Sequence, residues 1–246
     1  MVVFWDRLTG AQGAPPGWAV AASAAVALLL VVSPRLWRLT RIAITIAHES
    51  GHAAVSLLSG RRLEGIRLHT DTSGETVSRG RRSGPGITLT ALAGYLTPPV
   101  LGVGAAALLA AHRVTLLLAL LLVMLAVTLF FMRNWYGALA VLLTAGALLA
   151  VAWLAAPAVR AAFAYGLAWF LLLGGVRPVM ELARTRPRPA RLPPGTRLAA
   201  GRGRAAGTSD ADQLAALTGV PRGVWVTLFA LVAVGALVLG ARLLVP

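Results

Sequence analysis

Long apolar stretches separated by short polar ones run through the whole chain. Almost wholly apolar runs cover 17–33, 87–111, 114–132, 136–156, 159–176 and 223–244, and a membrane-crossing helix needs about 20 such residues. A further stretch, 41–59, is apolar at both ends but carries His48, Glu49 and His52 in its middle. Counted as a helix, it raises the number of crossings to seven. The pattern predicts an all-α polytopic membrane protein of six to seven transmembrane helices.

Two stretches break the pattern. Residues 61–82 hold alternating pieces, 63–68 and 75–78, around the turn-forming Asp71-Thr72-Ser73-Gly74, which predicts a small β-hairpin insertion. Residues 184–208 are rich in Arg, Pro and Gly and read as an irregular basic linker. After it, Ser209 suits an N-cap, Asp210 and Asp212 suit a first helical turn, and Gly219 and Pro221 stop the short helix 210–218. The chain thus divides into an N-terminal segment (1–16), a membrane core (17–183), the linker (184–208), and a short Asp-bearing helix with the last span (209–246).

Composition agrees with a membrane setting. The 246 residues are 58% hydrophobic and 13% charged, where a soluble domain carries about 25% charged residues. Such a chain is also too apolar to be disordered. Cysteine is absent, which excludes disulfides, thiolate metal sites and cysteine nucleophiles. Every basic residue is arginine, so Schiff-base and Walker-type lysine chemistry is excluded. A net charge of +15 raises the question of nucleic acid, but in so apolar a chain it reads as basic loops against anionic lipid, with no nucleic acid partner. Seven crossings put the N-terminus, 60–86, 133–135 and 177–222 on one face, which holds most of the arginines. The positive-inside rule makes that face cytoplasmic and the C-terminus external, in a multi-pass cell-membrane protein.

Residues 48–52 read His48-Glu49-Ser50-Gly51-His52. Four-residue spacing on a helix puts both imidazoles on one face, one turn apart. Two such nitrogens bind one zinc ion, with the intervening glutamate in reach of a water as general base. The competing reading is a polar His-Glu cluster in a carrier or a non-catalytic scaffold for membrane partners. However, each charged group at mid-bilayer costs about 2.5–3.5 kcal/mol, and a divalent cation offsets that cost. Zinc needs a third protein ligand and an open fourth position. The remaining candidates are His69, His112, Asp6, Glu64, Asp71, Glu75, Glu181, Asp210 and Asp212. Of these, Asp210 and Asp212 lie on the membrane face of the motif, and helix capping accounts for them equally well.

These residues bring a family into view. HESGH in a membrane helix followed by a short basic hairpin resembles the site-2-type intramembrane zinc metalloproteases. Ala93-Gly94-Tyr95-Leu96-Thr97-Pro98, Arg133-Asn134-Trp135-Tyr136-Gly137, and Ser209-Asp210-Ala211-Asp212 leading to Leu217-Thr218-Gly219-Val220-Pro221 look like a compact bacterial branch of that family. The resemblance covers roughly residues 40–222. It implies His48 and His52 as zinc ligands, Glu49 as catalytic base, and Asp210 as the distal ligand with Asp212 as fallback. It also implies Asn134 as a residue that steadies substrate. The chain departs from better-known branches in having alanine after Asp210 and in carrying Asn134 on a different segment. The implied activity is hydrolysis of peptide bonds in membrane-anchored protein substrates near the cytoplasmic face. A helical substrate must unwind locally before attack, because its carbonyls are already hydrogen-bonded. The hairpin offers either an edge strand for the unwound segment or a plain connection between helices.

Overall fold

The structure, a computed structural model, describes residues 10, 12–13, 15–185 and 209–245. Its element order is α1 (Gly17–Val32), α2 (Pro34–Leu58), β1 (Arg62–Leu68), β2 (Gly74–Arg79), α3 (Pro85–Ala110), α4 (Val114–Phe131), α5 (Trp135–Leu154), α6 (Pro157–Arg184), α7 (Asp210–Thr218) and α8 (Arg222–Leu244). The expected all-α polytopic membrane protein with a small hairpin is what the chain forms. Helices α3, α4, α5, α6 and α8 are each long and apolar enough to cross a bilayer.

The first crossing differs from the expectation. The runs 17–33 and 41–59 are not two spans. Helices α1 and α2 meet at a 100° bend and together count as at most one broken span, for up to six among the described residues. The cause is local: Ser33 is extended, its hydroxyl accepts the Leu36 N–H, and Pro34 opens α2, where its missing N–H costs nothing.

Losing one crossing also moves the N-terminal segment. Gln12 donates its N–H to the His112 carbonyl and its side chain bonds Thr115. It therefore lies by the α3–α4 turn, at the far end of the bundle from the hairpin, whereas seven crossings placed it with the hairpin.

Helix α6 also runs past the expected end at 176, to Arg184. The charges in this added stretch meet partners. Arg177 pairs with Glu181 one turn on at 3.1 Å, and Glu181 accepts from Trp37 Nε1 at 3.1 Å. The Arg177 guanidinium also donates to the Val31 carbonyl at the end of α1 and stacks over the Trp37 ring. Most of the linker expected at 184–208 lies outside the described residues.

The hairpin is antiparallel, with a bulge between Leu63 and Gly65. Gly65 has φ 153, and the Arg133 side chain occupies the space where a Cβ would stand. That lets Arg133 cross β1 and donate to the Glu64 carbonyl at 2.9 Å. Residues 132–134 run along the outer edge of β1. Ile66 bridges Met132 in parallel, and Arg133 N–H donates to Ile66 at 2.9 Å. The Asn134 carboxamide closes both ends of Leu68, donating to its carbonyl at 2.7 Å and accepting its N–H at 3.2 Å. Among the described residues, no strand pairs with the outer edge of β2.

Candidate metal centre

Four elements converge on the HESGH turn of α2. Glu49 and His52 are buried. Helix α3 packs against the ligand face of α2 through small residues. A Cβ on Gly51 would collide with Thr97. A Cβ on Gly94 would land on the Nε2 atoms of both histidines and 2.6 Å from His48 Cε1. Only hydrogen fits at residue 94, so the space in front of the imidazoles stays open. Neighbouring Tyr95 stands edge-on to the His48 ring at 4.9 Å and stacks on Phe229 of α8.

His52 is oriented from behind. His52 Nδ1 lies 2.6 Å from the Thr90 carbonyl. A carbonyl only accepts, so Nδ1 carries a proton and Nε2 is the nitrogen turned inward. Facing it is Asp210, the first residue of α7, with 2% of its surface exposed. Its Oδ2 is 3.0 Å from His48 Nε2 and 3.3 Å from His52 Nε2, and the two nitrogens are 3.1 Å apart. A tetrahedral ion with ligands at 2.0–2.1 Å separates its donors by about 3.3 Å, so this triangle fits such an ion. Moreover, an imidazole nitrogen and a carboxylate oxygen at this distance require a proton or a cation between them.

Glu49 lies beside this triangle. His48, Glu49 and His52 offer ligand atoms that all fall within 4.8 Å of one another. The Glu49 Oε2 accepts the Thr76 hydroxyl at 2.7 Å, and Glu49 Cγ and Oε1 sit 2.5 and 2.6 Å from where a Gly74 Cβ would stand. Residues 74 and 76 share one face of β2, so this strand presses the carboxyl from the side. The hairpin tip is anchored as well: Thr45 of α2 donates to the Thr72 carbonyl at 2.8 Å. At the base, buried Arg61 donates to Ser78 Oγ at 3.1 Å and to the Arg81 carbonyl at 2.7 Å.

A family model described as Peptidase M50B-like matches residues 21–240. The chain belongs to that family. M50B-like membership supports a site-2 protease-like intramembrane metalloprotease at family level, embedded in the membrane. No curated protein and no solved structure matches the chain.

The structure brings together His48, Glu49, His52 and Asp210 out of the residues singled out in the sequence. Asp212 stands apart. Its carboxylate forms a capping box with Ser209 and lies 3.0 Å from Arg222 Nε. Capping and proximity to the histidines thus divide between two residues of one turn. Asn134 is bonded to Leu68 rather than joined to this cluster. Thr76, Gly74, Gly94 and Thr90 were not singled out. Gly94 lies in a quoted run, but its contact with the imidazoles depends on the α2–α3 packing.

Proposed function

We propose that this M50B-like protein is a zinc endopeptidase that cleaves membrane-anchored proteins at the hairpin end of its bundle. One observation carries the reading: two imidazole nitrogens and a carboxylate oxygen at tetrahedral spacing, with a second carboxylate beside them. His48, His52 and Asp210 would hold the ion. Two imidazoles, one carboxylate and no thiolate form a donor set that suits zinc. Bound there, the ion supplies Lewis acidity that polarises the scissile carbonyl and acidifies water.

The chain's own groups do the rest. The carboxylate of Glu49 takes a proton from the attacking water and returns it to the leaving amine. Thr76 fixes one oxygen of that carboxylate. No covalent acyl intermediate is required. The outer edge of β2, on the strand that contacts Glu49, suits an unwound substrate segment. Main-chain pairing would hold that segment extended. Asn134 acts at one remove, by fixing Leu68 and with it the strand that carries β2.

Orientation follows from charge. Arg61, Arg62, Arg67, Arg79, Arg81, Arg82 and Arg133 crowd the hairpin end, against Arg113, Arg160 and Arg242 at the other. The positive-inside rule makes the hairpin end cytoplasmic. With six spans, residues 12 and 245 are then external. The basic surface faces anionic headgroups of the inner leaflet.

The test combines metal content with cleavage of a membrane-anchored reporter in detergent-purified protein. Wild type is expected to carry one zinc per chain. His48→Ala and Asp210→Ala should lose both metal and cleavage. Glu49→Gln should keep the metal and lose cleavage by about 100-fold or more. A wild-type protein without transition metal would overturn the reading and favour a non-catalytic carrier or scaffold.

A further inference from the structure

The Asp210 helix is short and attached to its neighbours in a particular way. It has nine residues, below the length at which a helix is stable alone in water. Its apolar contacts are buried Ala211 and Leu214 packed with Ala91, Val179, Leu182 and Phe229. Those contacts fix its depth, but the aim of its first residue depends on the N-terminal turn. Besides the contacts of Asp210 with the histidines, that turn is ion-paired to Arg222 through Asp212.

Arg222 Nε lies 3.0 Å from Asp212 Oδ1. Its Nη2 donates to the Leu182 carbonyl at 2.7 Å and to Thr185 Oγ1 at 3.0 Å. Asp212 Oδ2 in turn accepts from the Ser209 N–H at 3.1 Å and the Ser209 hydroxyl at 2.6 Å. One planar guanidinium therefore joins the last turn of α6, the first turn of α7 and the start of α8. Leu182 is within the final turn of α6, and its carbonyl also accepts the Thr185 N–H at 3.2 Å and the Thr185 hydroxyl at 2.7 Å.

The location of Arg222 is informative. It is the first residue of α8, where a cation is opposed by its own helix dipole. Contacts elsewhere must offset that cost, and among the described residues the anion it meets in an ion pair is Asp212, two residues from Asp210.

We propose that Arg222 is a positioning residue for the metal centre: by gripping Asp212 and Leu182 it holds Asp210 against His48 and His52. This rests on the metalloprotease reading above, and it places the control of metal retention on a residue that touches neither ion nor substrate. Arg222→Lys keeps the charge but lacks the fork needed to reach both partners.

The test is metal release from the purified holoprotein into excess chelator, alongside helical content by circular dichroism. Arg222→Gln is expected to release metal about 10–100-fold faster than wild type, as loss of a partner that orients a ligand does elsewhere, with helical content unchanged. Arg222→Lys should fall between the two. Asp212→Asn keeps an oxygen for Ser209 and removes the charge facing Arg222, so it serves if Arg222→Gln does not fold, and it should also release metal faster. Wild-type release rates in the folded variants would overturn the proposal. His48→Ala separates the two claims. If it too retained metal like wild type, the metal-site reading itself would fail; if it alone lost metal, only the role of Arg222 would.

Discussion

At the residue scale, the centre depends as much on absent side chains as on present ones. Gly94 leaves open the space that His48, His52 and Asp210 share, and a methyl group there would overlap both imidazole nitrogens. Gly94→Ala is therefore expected to reduce bound metal to well below one ion per chain while the helices stay formed, as metal analysis and circular dichroism would read. Asp71, at the hairpin tip, shows a milder dependence. Its carboxylate accepts the Ser73 N–H at 2.9 Å and the Ser73 hydroxyl at 2.6 Å, and these bonds hold its pKa below the ordinary carboxylate value. A depressed folded pKa stabilises the turn above the unfolded value, about 3.9, and that support disappears as pH falls through the lower folded value. Amide exchange at Ser73, corrected for intrinsic rate, should accelerate across that acidic window and not near neutrality. Asp71→Asn should remove the dependence.

Among the elements, the hairpin behaves as part of a larger sheet-like layer. The strip 132–134 covers one side of β1 and leaves β2 as the edge, and Asn134 bonds both main-chain groups of Leu68. Asn134→Ala removes two bonds of about 1 kcal/mol each. The Leu68 amide should then exchange at least tenfold faster, and reporter cleavage should weaken through KM more than through kcat, with metal content unchanged. How much of this was legible in the sequence depends on the range of the forces involved. The His48-Glu49-His52 face follows from helix periodicity alone, and the 210–218 helix follows from Ser209, Gly219 and their neighbours, since caps are local. The bend at Ser33 was written in Ser33-Pro34, yet a count of apolar residues gives length and not direction, so one broken span read as two. The end of α6 was misplaced because Arg177 and Glu181 look like a loop when their partners, Trp37 and Val31, are unknown. Thr76 and Gly94 had no local signature, because their roles exist only once β2 and α3 are laid on α2.

For the whole molecule, tryptophans mark where the bilayer lies. Trp135 and Trp153 are exposed near opposite ends of α5. Their separation along the helix is about 27 Å at 1.5 Å per residue, close to the roughly 30 Å of hydrocarbon in a bilayer, and indole rings favour its two interfaces. Asn134, next to one of those rings, is bonded to β1, so the hairpin lies at one membrane boundary. The chain has no cysteine of its own, which makes sidedness simple to measure. Single cysteines at Gly13 and Val245 should react with a membrane-impermeant thiol reagent from the same side. A cysteine at Ser73 should react from the other, and in intact cells it should be protected. Labelling of Gly13→Cys together with Ser73→Cys would restore the seven-crossing arrangement.

Placing Asp210 just ahead of the final helix has a consequence for how the protein is made. During synthesis His48 and His52 enter the bilayer well before the carboxylate that faces them, which is made only after four further apolar helices. Arg222, which ties its turn in place, follows later still. A nascent chain that has passed residue 52 but not residue 210 thus carries the glutamate and the imidazoles of the proposed centre without the carboxylate that completes its donor set.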